Sequence, residues 1–107
     1  MEDSCVFCKI ARGELPSDRV YESKNYIVFP DINPHAPIHL LIVPKRHFKD
    51  LSEIDHPSWD ELRDVVLELK NQYNLNGFRI VNNFGESAAV HHFHVHFLGN
   101  INPEAKL

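Results

Sequence analysis

Apolar and polar residues alternate with changing periods along this chain, and each period predicts an element. Val6, Phe7 and Ile10 give one apolar face to a short helix over residues 4–12, with Ser4 as its N-cap and Gly13 and Pro16 ending it. Val20-Tyr21 and Tyr26-Ile27-Val28-Phe29 are β-branched and aromatic and flank the polar cluster Glu22-Ser23-Lys24-Asn25, a hairpin pattern. Pro30, Pro34 and Pro37 forbid helix and stiffen the loop that carries Asp31. His39-Leu40-Leu41-Ile42-Val43, stopped by Pro44, fits a strand buried on both faces, with Lys45-Arg46-His47 as its polar exit.

From Pro57 to Tyr73 the apolar positions Trp59, Leu62, Val65, Val66, Leu69 and Tyr73 follow steps of three and four, and Gly77 lies just beyond. This is the one long amphipathic helix, with Asp60, Glu61, Asp64, Glu68 and Lys70 as its solvated side. Phe78-Arg79-Ile80-Val81 is a further strand, followed by a loop through Gly85 and Ser87. The last patterned stretch is Val90-His91-His92-Phe93-His94-Val95-His96-Phe97-Leu98-Gly99. In a strand, His92, His94 and His96 share one face while Phe93, Val95 and Phe97 enter the core. Strands interrupted by one long helix argue for an α+β fold: an antiparallel sheet with the long helix packed on one face and a short N-terminal helix.

Composition narrows this picture. A chain of 107 residues is most economically a single domain over residues 1–107. The formal charge is −4 and acidic and basic residues are interspersed, which disfavours a nucleic-acid partner held by Lys and Arg. No apolar run reaches the roughly 20 residues of a membrane span, and the acidic start Met1-Glu2-Asp3-Ser4 is unlike a signal peptide, so a cytoplasmic protein without membrane contact is expected. In that compartment Cys5 and Cys8 are thiols or metal ligands rather than a disulfide.

Three histidines at strict alternation need a use, because each buried imidazole requires hydrogen-bond partners. One metal is strained by taking all three: positions two apart on a strand are ~7 Å apart and positions four apart ~13 Å, against a zinc–nitrogen bond of about 2 Å. Two could share an ion with ligands from elsewhere. The other use is nucleophilic: a neutral imidazole attacks phosphorus, and its neighbours orient it or protonate a leaving group.

His92-Phe93-His94-Val95-His96-Phe97-Leu98 resembles the motif of the histidine-triad family, His-φ-His-φ-His-φ-φ with φ apolar. The likeness extends to residues 28–34, to Pro37-Ile38-His39-Leu40-Leu41-Ile42-Val43-Pro44-Lys45-Arg46-His47 and to Cys5-Val6-Phe7-Cys8-Lys9-Ile10, and so covers nearly the whole chain. The Leu98-Gly99 ending looks like the nucleoside-phosphoramidase branch. The resemblance implies that His94 attacks the α-phosphorus of a nucleotide to give a nucleotidyl-histidine, that His96 helps the leaving group depart, and that His92 orients the site or takes up a metal. It implies that Asp31 binds the ribose hydroxyls and that Phe7, Ile10, Phe29 and Ile32 wall the base, although Phe7 and Ile10 equally suit core packing. Asn83, next to Asn82, matches an asparagine that donates to the phosphate.

One stretch departs from the family pattern. Gly85-Glu86-Ser87-Ala88-Ala89 is shorter and places alanines where relatives carry Gln and Ser or Thr, so a donor to the transition-state charge is missing, with Ser87 as a partial substitute. In many histidine-triad proteins the cysteine pair, the histidine after the Pro-Lys-X segment and the first histidine of the motif bind zinc. Those residues are here Cys5, Cys8, His47 and His92, which implies structural zinc and no organic cofactor. His35, His39 and His56 have no partner that can be named from the sequence, and His91 faces away from the triad.

The leading expectation is a nucleotide hydrolase or transferase cleaving at the α-phosphate of a purine nucleoside phosphoramidate or dinucleoside polyphosphate. It acts through His94, without a catalytic metal, and as a homodimer by family resemblance. The alternatives are a zinc-stabilised nucleotide-binding or adaptor module with little turnover, and a hydrolase with its metal on the triad.

Overall fold

The computed structural model describes residues 4–106; the acidic start Met1–Asp3 and Leu107 lie outside the described residues. In chain order the elements are α1 (Val6–Ala11), β1 (Tyr21–Glu22), β2 (Tyr26–Pro30), β3 (Ile38–Pro44), α2 (His56–Gln72), β4 (Phe78–Val81) and β5 (Val95–Gly99), with single 3₁₀ turns at Leu51–Glu53 and Gly85–Ser87. The strands form one five-stranded sheet in the order β1-β2-β3-β5-β4, and every neighbouring pair is antiparallel. The α+β architecture read from the sequence is the one found.

β3 occupies the centre, which is why its run is apolar throughout. Leu40 and Ile42 point to one side, where they meet Tyr26, Val28, Val95, Phe97 and the buried stripe Leu62, Val65, Val66 and Leu69 of α2. Leu41 and Val43 point to the other, where they meet Ile27, Phe29 and Phe7 and Ile10 of α1. The sheet is therefore covered on both faces, by the long helix on one and by the short one on part of the other.

Several boundaries differ from those read in the sequence, each for a local reason. α1 is capped by Cys5 rather than Ser4, because the Cys5 sulfur accepts the Cys8 N–H at 3.4 Å. α2 starts one residue early at His56, with Asp55 as N-cap accepting from the Ser58 N–H at 2.8 Å. Trp59 does not join the core: it lies in the first turn of α2 and is 51% exposed. Glu61 is not merely solvated. Its carboxylate accepts from the Ser23 hydroxyl at 2.6 Å, the Asn25 N–H at 2.8 Å and the Asn25 amide at 2.7 Å, fastening the β1–β2 turn to α2.

The largest difference concerns the histidine strand, which begins only at Val95. Ahead of it the backbone leaves the ladder: the Phe93 N–H donates to the Phe48 carbonyl at 2.7 Å, and the His94 carbonyl accepts the Asn82 side-chain amide at 2.9 Å. Phe93 is nevertheless in the core on the α2 side, as the alternation requires.

These packing differences set the expected mutational costs. Leu69→Ala, at a fully buried position, is expected to destabilise by about 2–5 kcal/mol, and Trp59→Ala by less than about 1 kcal/mol. Urea unfolding of both variants measures this, and a Trp59→Ala cost matching that of Leu69→Ala would contradict the placement.

Candidate functional site

Two groups of side chains meet on the α1 side of the sheet, around the start of β5. The first is built from the N-terminus of α1. Because Cys5 is the N-cap and Cys8 lies one turn later, both sulfurs project from the same end of the helix. His47 follows the end of β3 and His92 precedes β5, so the sheet brings them to the same place. The Cys5 sulfur is 3.3 Å from His92 Nδ1, the Cys8 sulfur 3.3 Å from His47 Nδ1 and 3.5 Å from His92 Nδ1, and the two Nδ1 atoms are 3.2 Å apart.

These spacings can be compared with those around a bound ion. Zinc–sulfur bonds of ≈ 2.3 Å and zinc–nitrogen bonds of about 2.0–2.1 Å put tetrahedral donors roughly 3.3 Å apart for two nitrogens and roughly 3.6 Å for sulfur and nitrogen. The observed separations fall near those edges, and the four residues can hold a metal ion with one donor atom each. The proton arrangement agrees. His92 Nε2 donates to the Pro44 carbonyl at 2.8 Å, which leaves the Nδ1 lone pair for the cluster. His92 is fully buried, and burial pushes its pKa down to about 4, against the opposing hydrogen bond to Pro44 and with help from His47 and His94. The imidazole is therefore neutral, as a metal ligand must be.

The second group contains the rest of the triad. His94 is buried, and its Nδ1 donates to the His92 carbonyl at 2.8 Å. The proton is thus on Nδ1, and Nε2 carries an unshared pair. The Phe7 ring meets His94 edge-on at 5.1 Å and His92 at 5.8 Å, fixing both planes. The His96 ring is 5.2 Å from that of His94.

His39, left without a partner in the sequence reading, is part of this group. It is buried on β3; its Nδ1 accepts the His35 N–H at 3.0 Å, so in the neutral ring the proton sits on Nε2. That Nε2 is 2.9 Å from His96 Nδ1 and 3.4 Å from the Asp31 carboxylate. His96 Nδ1 therefore accepts, and its own proton is on Nε2. Asp31 is held in turn by the Asn33 N–H at 2.8 Å. Burial lowers the pKa of His39, with Asp31 opposing and His35 adding to the shift. Burial also lowers that of His96, helped by His94 and His39 and opposed by Asp31. Both are neutral near pH 7.

His94 and His96 thus have opposite tautomers: a bare Nε2 on one and an Nε2–H on the other. The trio Asp31, His39 and His96 is close enough to hold an ion, but the proton on His39 Nε2 occupies the lone pair an ion would need.

Of the residues expected to wall a base, Phe7, Ile10 and Phe29 lie together in the core beneath the triad, whereas Ile32 stands 92% exposed in the loop after β2. Asn83 lines a cavity of about 370 Å³ beside His96, while its neighbour Asn82 spends its amide on the His94 carbonyl. Ser87 is exposed in the 3₁₀ turn Gly85–Ser87, ahead of Ala88 and Ala89. His39 and His35 were missed as members of the site. The one available signal was a histidine within an otherwise apolar buried strand, and its partner depends on strand register.

The comparisons with known proteins point one way. A family model described as scavenger mRNA decapping enzyme, C-term binding, matches residues 4–106. Protein HitA of Neisseria gonorrhoeae is 40% identical over 103 residues, covering 91% of this chain and 96% of its own. A HIT family hydrolase from Clostridium thermocellum superposes with a TM-score of 0.85 at 36% identity, over 100% of this chain and 99% of that one. A Zn-bound histidine triad family protein from Mycobacterium smegmatis superposes with a TM-score of 0.82 at 30% identity, over 94% and 78% of the two chains. With its three motif histidines, its sheet order and these matches over nearly its full length, the chain belongs to the histidine triad family.

Proposed function

We propose that this protein is a nucleotide hydrolase or transferase that cleaves at the α-phosphate of a purine nucleoside phosphoramidate or dinucleoside polyphosphate. The observation that carries this reading is the pair of opposite tautomers on His94 and His96. The unshared pair on His94 Nε2 forms a nitrogen–phosphorus bond while the bond from phosphorus to the leaving atom breaks. The departing atom keeps the electron pair of the broken bond, accepts a hydrogen bond from His96 Nε2–H and takes its proton from solvent. Water then attacks phosphorus and loses its proton to solvent, and the nitrogen–phosphorus bond opens to release the nucleotide and restore the lone pair of His94. Asp31 holds His39 and His96 in place, and a carboxylate there suits ribose hydroxyls.

The Cys5, Cys8, His47 and His92 cluster is read as a structural zinc site, supported by the donor spacing and by the Zn-bound relative. Zinc there supplies a crosslink between α1 and the strand carrying the triad; His92, held in place, offers its carbonyl to His94 Nδ1. A nucleotide-binding module with little turnover is the second reading. It is favoured by Ala88 and Ala89, which bring no side-chain donor to the phosphate.

Incubation with a nucleotide labelled at the α-phosphate and acid quenching is expected to trap label on the wild-type chain and not on His94→Ala. Label bound reversibly but never covalently in the wild type would select the binding module instead. Metal analysis is expected to find zinc in the wild type and strongly reduced zinc in Cys8→Ser; equal content in both would sink the metal assignment.

The buried neutral histidines also fix a pH dependence. A folded-state pKa held below the unfolded value of 6.5 gives stability that is complete above it and lost as the pH falls toward the folded value, about 4 for His92. Between pH 6.5 and 5, His92 alone removes about 1.5 kcal/mol, and His39 and His96 act in the same direction. Urea midpoints of metal-free protein are expected to fall over this range; midpoints flat from pH 7 to 5 would contradict the buried neutral assignment.

A further inference from the structure

Cys5 and Cys8 are not joined in a disulfide, yet the fold sets them where one can close. Cys5 caps α1 and Cys8 lies in its first turn, and residues three apart at the start of a helix have Cα atoms roughly 5 Å apart. A disulfide spans Cα separations of roughly 4.4–6.8 Å without moving the backbone. The Cys5 sulfur accepts the Cys8 N–H at 3.4 Å, and the two sulfurs stand 3.3 and 3.5 Å from one atom, His92 Nδ1. The donor atoms of the cluster all lie within 4.8 Å of one another.

The two sulfurs differ in access. Cys8 is fully buried, whereas Cys5 is half-buried and lines an open concavity of about 800 Å³ with His47, Lys49, Val90 and His91. Neither His94 nor His96 is among the lining residues of that concavity. A small oxidant therefore reaches Cys5 without crossing the triad. An accessible sulfur backed by a buried second one is the arrangement of a redox pair, in which the first is oxidised and the second resolves it.

We infer that Cys5 and Cys8 are a redox pair that responds to peroxide, and that their disulfide takes the cluster apart and displaces His94. The Cys5 sulfur attacks one oxygen of hydrogen peroxide and the O–O bond breaks, which gives Cys5 sulfenic acid and one water. The Cys8 sulfur then attacks the Cys5 sulfur, the S–O bond breaks, and hydroxide departs as a second water. The protons come from the thiols or from solvent. The two sulfurs lose two electrons and the peroxide oxygens gain them. A disulfide offers no thiolate, so the cluster keeps only His47 and His92 as metal donors.

The connection to the triad runs through groups already in contact. Phe7 lies between the two cysteines, and its ring meets His94 edge-on at 5.1 Å and His92 at 5.8 Å. His92 Nδ1 faces both sulfurs, and the His92 carbonyl accepts from His94 Nδ1 at 2.8 Å. Drawing the sulfurs together to a bond of about 2.05 Å turns the segment carrying Phe7 and removes partners of His92. Both groups that set the His94 plane then shift. Only the effect on turnover rests on the reading of His94 as nucleophile.

The test treats the full chain, as purified with its metal, with hydrogen peroxide in the presence of glutathione, then blocks the remaining thiols with iodoacetamide. The wild type is expected to lose two hydrogen masses, to keep no alkylatable thiol and to release zinc to a chromogenic chelator in step with that loss. Dithiothreitol is expected to reverse all three. Two alkylatable thiols remaining after the glutathione has been oxidised overturn the inference, as do added oxygen masses without a disulfide or disulfides between two chains. Cys8→Ser is expected to stop at a sulfenic acid that dimedone traps on Cys5, and Cys5→Ser to leave Cys8 unreacted. Faster dimedone labelling of Cys8 than of Cys5 in these variants also overturns it. Each variant removes a donor from the cluster, so the wild-type result decides where one fails to fold.

The displacement of His94 is read without turnover, from its Nδ1 proton resonance, which is expected to shift on oxidation and return with dithiothreitol. A disulfide that leaves this resonance in place overturns the switch. Trapping of labelled nucleotide on the oxidised chain is expected to fall about tenfold or more, the cost of a misplaced reacting group. Absence of adduct in the reduced chain would reject the functional reading instead, and the thiol and resonance readouts would still decide the switch.

Discussion

The imidazole of His92 is fully buried and has every polar atom committed. Its Nε2 donates to the end of β3 at Pro44, its Nδ1 faces two sulfurs and His47, and its backbone carbonyl receives the Nδ1 proton of His94. Three parts of the molecule meet there: the cap of α1, the exit of the central strand and the entry to β5. An unpaired buried imidazole would cost several kcal/mol, so the position of each part is constrained by the other two. The tautomer of His94 follows from the same residue, since the carbonyl of His92 can only accept.

A second constraint runs from the opposite direction and ends at His96. The His35 N–H fixes the tautomer of His39, His39 fixes that of His96, and Asp31 stands behind both. The two chains of hydrogen bonds reach neighbouring rings and leave opposite protonation at their outward nitrogens. Residues of one chemical type, two positions apart, become a lone-pair donor and a proton donor because each has a different backbone or side-chain partner on Nδ1. Burial keeps His39, His92 and His96 neutral, which both arrangements require. The site is thus organised by hydrogen bonds that reach it from neighbouring strands and loops.

Much of this was readable from the chain. The 3.6-residue period located α2, the unbroken apolar run located the central strand, and the family resemblance grouped Cys5, Cys8, His47 and His92, whose donor atoms do come together. What escaped notice was long-range. Glu61 sits at a solvated position of the helical pattern, yet its carboxylate receives three hydrogen bonds from a turn nearly forty residues earlier. Trp59 sits at an apolar position of the same pattern, yet its side chain is left half exposed. Periodicity describes a face of an element; it does not say where that face ends.

The amino-acid sequence by itself determined the elements, the α+β class and the alternation that separates Phe93, Val95 and Phe97 from His92, His94 and His96. Tertiary structure alone decided which nitrogen of each histidine carries its proton. The β3–β5 register sets Leu41 opposite His96 and thereby brings His39 diagonally to it, and the departure from the ladder before Val95 turns His92 into the cluster. The reason is physical. A side chain's type and its face are local properties of the chain, whereas a tautomer is set by whichever group occupies the other nitrogen, and that group comes from a distant strand.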